Sequence, residues 1–85
     1  MNLMKLTIIS SNGIHYDGDV SLIRAWTPEG QIEILPGHCT YIGLINPGQF
    51  EALTFDGKLR QFSLGHGSIE HNHGKITVLT DIENK

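Results

Sequence analysis

Eighty-five residues suffice for one domain and not for two, because a single hydrophobic core rarely divides below about 100 residues. Six Lys and Arg against nine Asp and Glu leave a formal charge of −3, and 39% hydrophobic with 18% charged residues is the profile of a folded chain rather than a disordered one. The cations are scattered singly, which argues against nucleic acid and against an anionic membrane surface as partners.

The chain opens on Leu3 to Ile9, a predicted strand whose Lys5 and Thr7 break the apolar run that a signal peptide requires. Ser10-Ser11-Asn12-Gly13 predicts a turn, Ile14 to Tyr16 a short extension, and Asp17-Gly18-Asp19 a second turn. Val20 to Thr27 reads as a longer strand closed by Pro28-Glu29-Gly30. Its faces stay ambiguous, since Val20, Leu22 and Trp26 share one parity while Ile23 and Ala25 share the other. Gln31 to Leu35 is a short strand, Pro36-Gly37-His38 a tight turn, and Tyr41 to Ile45 an apolar segment interrupted by one glycine. Asn46-Pro47-Gly48 turns the chain again. Gln49 to Phe55 and Lys58 to Leu64 then flank Asp56-Gly57, a pair that favours a primed two-residue hairpin turn. Ser68 to His71 and Lys75 to Thr80 flank Asn72-His73-Gly74, a last hairpin, and residues 81 to 85 read as a polar tail.

No window keeps the helical period, so residues 1–85 are read as one all-β domain, a sandwich or flattened barrel of short strands. Leu6, Ile8, Ile32, Ile34, Ile76 and Val78 alternate with polar neighbours and are the candidate core. No stretch reaches the roughly 20 apolar residues of a membrane-spanning helix.

Five histidines are the conspicuous polar feature. Gly65 followed by His71-Asn72-His73 opens like a cupin metal site, and imidazoles two apart on a strand point the same way. The glutamate such a site needs after its second histidine is missing from Gly74-Lys75-Ile76-Thr77-Val78, so the histidines are read as turn residues. Cys39, the only cysteine, excludes by count an internal disulfide, a four-thiolate zinc site and a CxxC redox pair. Beside His38 it still lacks an orienting acid and an oxyanion donor. Glu29, Glu33, Glu51 and Glu70 are dispersed where acid–base chemistry needs converging pairs. Catalytic, cofactor and metal residues are accordingly assigned to none.

Gly30-Gln31-Ile32-Glu33-Ile34-Leu35-Pro36-Gly37-His38 resembles a segment of the epsilon subunit of F-type ATP synthases. Asn46-Pro47-Gly48, Leu64-Gly65-His66-Gly67 and Ile76-Thr77-Val78-Leu79 follow in that family's order, so the similarity spans the chain. The resemblance implies a flattened β-sandwich or barrel of about ten short antiparallel strands, and a noncatalytic central-stalk subunit at the junction of the gamma subunit and the c-ring, without cofactor, helping to couple ion flow to ATP synthesis. It implies a peripheral place on the cytoplasmic face of a bacterial inner membrane, with no direct insertion. By the same resemblance Gln31, Pro36, Gly37 and His38 face the polar loops of the c-ring, and Gly30, Pro47, Gly48, Gly65 and Gly67 are structural turns.

The chain departs from the family pattern at Glu33 and at His66, each standing where a glycine is usual, and Gln31 is uncharged where some relatives are acidic. The two-helix domain that follows in most family members has no counterpart before Lys85, so its inhibitory and ATP-binding activities are not expected of this chain. A different class of function, a free-standing sandwich binding a metal or small ligand through His66, His71 and His73, is the alternative that the histidines suggest.

Overall fold

The computed structural model describes residues 2–37 and 40–82. Seven strands lie among them: β1 (Met4–Ser10), β2 (Gly13–Thr27), β3 (Gly30–Ile34), β4 (Tyr41–Ile45), β5 (Gly48–Thr54), β6 (Leu59–Asn72) and β7 (Lys75–Ile82). The order is β1-β7-β6-β5-β2-β3, with β1 also paired to β2 and β4 to β6. Five strands therefore close into a ring, β1-β7-β6-β5-β2, with β3 and β4 as flanking edges. The molecule is flattened, 37 × 26 × 18 Å, as two packed layers require.

Two long strands build both layers. The first half of β2 pairs with β1, and its second half pairs with β3 on one side and β5 on the other. The first half of β6 pairs with β5, and its second half lies between β4 and β7. Each long strand changes layer at an irregularity, between Val20 and Leu22 in β2 and between Leu64 and Gly67 in β6. Extra residues at such bulges bend a strand and re-aim its side chains. The first layer is thus β4, the end of β6, β7, β1 and the start of β2; the second is β3, the end of β2, β5 and the start of β6.

This geometry corrects the predicted count of about ten short strands. Asp17-Gly18-Asp19 is no turn: these residues pair with Thr7, Leu6 and Lys5 of β1, and the Tyr16 ring lies across Gly18, where a Cβ would come within 2.8 Å of its hydroxyl. Leu64 and Ser68 likewise belong to one strand, and Asp81 and Ile82 extend β7 instead of starting a tail. Pairing is not wholly antiparallel either, because β1 and β7 run parallel from Lys5–Lys75 to Ile9–Leu79.

The hairpins also exchange turn types. A type I′ two-residue turn needs positive φ at both central residues, which His73 (52°) and Gly74 (76°) supply between β6 and β7, whereas type II′ needs it at the first alone. At Asp56-Gly57 only Gly57 (84°) is positive. The loop there is Phe55-Asp56-Gly57, with the Gly57 amide donating to the Thr54 carbonyl at 3.0 Å and the Thr54 amide to the Lys58 carbonyl at 2.8 Å. The Thr54 hydroxyl donates to the Asp56 carboxylate, and this bond holds Asp56 below the usual carboxylate range. A depressed folded pKa adds stability that is complete above the unfolded value of about 3.8 and is lost as pH falls through the folded one. Asp56→Asn is expected to flatten that acid limb below about pH 4, read from urea unfolding curves at successive pH values.

Met4, Leu6, Ile8, Val20, Ile76, Val78 and Ile69 of the first layer and Ile23, Ala25, Ile34, Phe50, Ala52 and Leu64 of the second are buried. The predicted core residues are among them except Ile32, which is half-buried against the same cluster. Phe62 lies against Phe50 and meets Tyr16 edge-on at a centroid separation of 5.6 Å, and the Arg60 guanidinium sits 5.2 Å above the Tyr16 ring. Aromatic and cation–π contacts thus close the seam where β2 and β6 pass between layers.

Candidate functional site

The residues expected to face a partner do not form one cluster. Gln31 is exposed on β3 opposite Trp26, next to the Pro28-Glu29-Gly30 turn. Pro36 and Gly37 (φ 86°) turn the chain beyond the other end of β3, and His38 lies outside the described residues, as does Cys39. Five extended residues separate Gln31 from Pro36, about 16 Å. What unites them is position, for β3 is an edge strand and both lie along its border.

Among the structural turns, Gly30 begins β3, where the Thr27 hydroxyl donates to its carbonyl at 2.8 Å and accepts the Glu29 amide. Pro47 is exposed, and Gly48 lies under the Trp26 indole, 3.3 Å from where a Cβ would stand. The Asn46 amide donates to the Trp26 carbonyl, so the β2–β3 and β4–β5 turns are joined at Trp26.

The three clustered histidines are parted by the fold. His71 points inward and is 2% exposed, His73 occupies the exposed hairpin turn, and His66 is exposed at the β6 irregularity. Strand alternation would have aligned His71 with His73, but β6 ends at Asn72. No group of three His, Cys, Asp or Glu able to hold a metal occurs among the described residues. The expectation that these histidines sit together in a solvated turn is therefore wrong for His71.

Strand register divides the two outer faces into rows. On the first layer one row runs Leu44 (β4), Ser68 (β6), Leu79 (β7), Ile9 (β1) and Ile14 (β2). The next is mixed, Ile42, Glu70, Thr77, Thr7 and Asp17, and a third is polar, Asn72, Lys75, Lys5 and Asp19, with Lys5 ion-paired to Asp17 at 3.6 Å. Ile42 and Leu44 are 72% and 64% exposed, and Leu79 and Ile14 are exposed with them. Two clefts flank this apolar row. Ile9, Ser10, Ser11, His66, Leu79 and Asp81 line one of about 290 Å³. Pro28, Leu44, Asn46, His66, Ser68 and Leu79 line another of about 400 Å³.

The second layer presents a different face. Leu22, Leu53 and Leu59 stand in one row, but beside it Arg24 reaches across three strands to Glu33 of β3 at 2.9 Å and Glu51 of β5 at 2.8 Å, and Gln61 of β6 donates to Glu51. The hydrogen bonds that Arg24 donates to Glu33, then the one it donates to Glu51, keep the guanidinium more firmly protonated than usual. On this face Arg24, Glu33 and Glu51 are thus paired with one another.

Sequence reasoning missed the first-layer face, although a signal for it exists. Tyr41-Ile42-Gly43-Leu44-Ile45 is apolar at both parities, and a strand with apolar residues on both faces expects cover on both. Tyr41, Gly43 and Ile45 face the core, with the Tyr41 ring folded over Gly43, while Ile42 and Leu44 face out.

Comparison with known proteins adds a second line of argument. The family described as ATP synthase, delta/epsilon chain, β-sandwich domain matches residues 3–83. The ATP synthase epsilon chain of Wolinella succinogenes is 31% identical over 81 residues, covering 95% of this chain and 62% of the relative. That of Psychrobacter cryohalolentis is 32% identical, covering 95% and 59%. The chain thus spans about three-fifths of the length of these relatives. Among solved structures, a chain of the Euglena gracilis mitochondrial ATP synthase with its c-ring superposes with a TM-score of 0.86 at 25% identity, covering 92% of this chain and 50% of that one. A chain of the Tetrahymena thermophila mitochondrial ATP synthase central stalk and c-ring shares the fold, with a TM-score of 0.75 at 19% identity over 92% and 63% of the two chains.

Proposed function

Since the chain belongs to the delta/epsilon β-sandwich family of ATP synthases, we propose that it is a noncatalytic central-stalk subunit that joins the gamma subunit to the c-ring. The single observation that carries the reading is the exposed apolar row of the first layer, Leu44, Leu79, Ile9 and Ile14, flanked by two clefts and free of charge along its length. Burying such a patch against a protein is favourable in proportion to its area, and an interface core is the place where charged residues are depleted. The gamma subunit is assigned to this face rather than to the second layer, whose Arg24, Glu33 and Glu51 would have to be desolvated or rearranged on docking.

The c-ring contact falls to the β3 edge and the turns at its two ends. An edge strand offers a line of backbone groups and polar side chains, here from Gln31 to Gly37, to loops that pass beneath it. With Gln31 uncharged, that contact rests on hydrogen bonds rather than on an ion pair. Torque transmission asks for a body that resists shear, and a closed ring of strands tied by hydrogen bonds and by one packed core answers it.

The test is direct binding of the chain to purified gamma subunit from the same source, followed by calorimetry with zinc titrated separately. One-to-one binding without metal is the expected result. Stoichiometric zinc uptake with no gamma binding would overturn the reading in favour of a ligand-binding sandwich.

A further inference from the structure

The apolar row of the first layer has a border as well as a centre, and that border carries one sign of charge. Asp81 stands opposite Gly65 and His66 at the β6 irregularity and lines the cleft of about 290 Å³ with Ile9 and Leu79. At the β4 end of the row a third cleft, of about 230 Å³, is lined by Pro28 and Glu29 of the β2–β3 turn and by Ile42 and Leu44 of β4. Glu70 of β6 lies between Ile42 and Thr77, one row from Leu44 and Leu79. All three carboxylates are exposed, and among the described residues none of them is in an ion pair. No lysine or arginine lines any of the three clefts.

The lysines of this layer lie elsewhere. Lys5 and Lys75 are register partners on β1 and β7 in the third row, toward the β6–β7 hairpin, and Lys5 is already paired with Asp17 at 3.6 Å. The face is therefore polarised along its strands, acidic around the apolar row and basic toward the hairpin. A purely apolar surface pressed onto the row would strip water from the bordering carboxylates without pairing them, and an acidic one would add like-charge repulsion. A second copy of this chain is disfavoured for the latter reason, since a two-fold contact centred on the row brings the same acidic border against itself.

We propose that the partner surface docking on the first layer is apolar at its centre and basic at its rim, with lysine or arginine side chains opposite Asp81, Glu29 and Glu70. The inference rests on the gamma-docking reading above and names the chemistry that gamma presents to this face. Charges at the rim of an interface stay partly solvated, so they act on encounter more than on the lifetime of the complex. Their field reaches about 30 Å at 0.01 M salt and about 8 Å at 0.15 M, so the steering weakens as salt is added. The same pattern fixes register, because a partner shifted toward the β6–β7 hairpin would set its basic rim against Lys75.

The experiment follows association and dissociation of the full chain with purified gamma subunit at about pH 8, where ordinary imidazoles are neutral, over ionic strengths from about 0.01 M to about 0.15 M. It compares the natural chain with the triple variant Asp81→Asn, Glu29→Gln, Glu70→Gln, whose changes are all at exposed positions, and with Lys75→Gln as a control at the far end of the face. The association rate of the natural chain is expected to fall with salt. In the triple variant it should be about tenfold lower at the lowest salt and nearly independent of salt, while the dissociation rate changes less than about threefold. Lys75→Gln should associate no more slowly than the natural chain. Association of the natural chain that ignores salt, a triple variant that binds as fast or faster, or slowing by Lys75→Gln would overturn the basic rim while leaving gamma docking intact. Absence of gamma binding by the natural chain at every ionic strength, or self-association in its place, would overturn the docking reading and this inference together.

Discussion

Gly67→Ala is expected to unfold the domain or to cost it on the order of 3–5 kcal/mol, the range kept for severe steric or cavity defects. A Cβ at this position would overlap the Leu79 carbonyl oxygen and stand 2.8 Å from the Thr80 Cα, both backbone atoms of the neighbouring strand that cannot swing aside. Relief would require β6 and β7 to separate where the Gly67–Thr80 pair resumes the ladder after the bulge. A chain of this size has little stability to spare. The control is Gly57→Ala, where φ is 84° but nothing stands within 4 Å of the added carbon. That change should cost only about 1 kcal/mol, from strain alone. Urea unfolding of the two variants checks the contrast. Equal, small losses would mean that β6 and β7 can part at the bulge without consequence.

Leu44→Lys combined with Leu79→Lys is expected to weaken gamma binding by at least about 30-fold, the effect of removing residues central to an interface. Both side chains lie in the uncharged row of the first layer, on β4 and β7, joined through Ser68. Both are more than half exposed, so the unbound chain should lose no more than about 0.5 kcal/mol per site. Leu59→Lys, on the opposite face in the Leu53 row, is the matching control and should bind gamma as the natural chain does. A loss of binding in Leu59→Lys with retention in the double variant would move the gamma contact to the second layer.

Much of the fold was legible because alternation is a local property. Leu6 and Ile8, Ile76 and Val78, and Ile34 reveal their inward faces by skipping a residue, and Gly with Asn or Asp marks most of the strand breaks. Asp17-Gly18-Asp19 misled for a specific reason: its turn-forming composition was outweighed by a continuous ladder to β1 and by a tyrosine ring that covers the glycine. Val20 to Thr27 was ambiguous because Ser21 is an extra residue that reverses parity within the strand. Val20 faces the core before it, and Ile23 and Ala25 face the core after it. No single-strand pattern can locate such a bulge, since its position is set by the partner strand.

The candidate site divides in the same way. The turns at Gly30, Pro36-Gly37 and Pro47-Gly48 announce themselves through their residue types, and the resemblance to the family rests on their spacing. The sequence by itself determined the all-β class, most inward-facing residues and the family, because these depend on residue type and on neighbours two to four positions away. Tertiary structure alone decided that Leu44, Leu79, Ile9 and Ile14 form one row, that His71 is buried while His66 is exposed beside Leu79, and that Gln31 stands well apart from Pro36. Those facts depend on strand register between segments far apart in the chain, which cross-strand hydrogen bonds and core packing choose together.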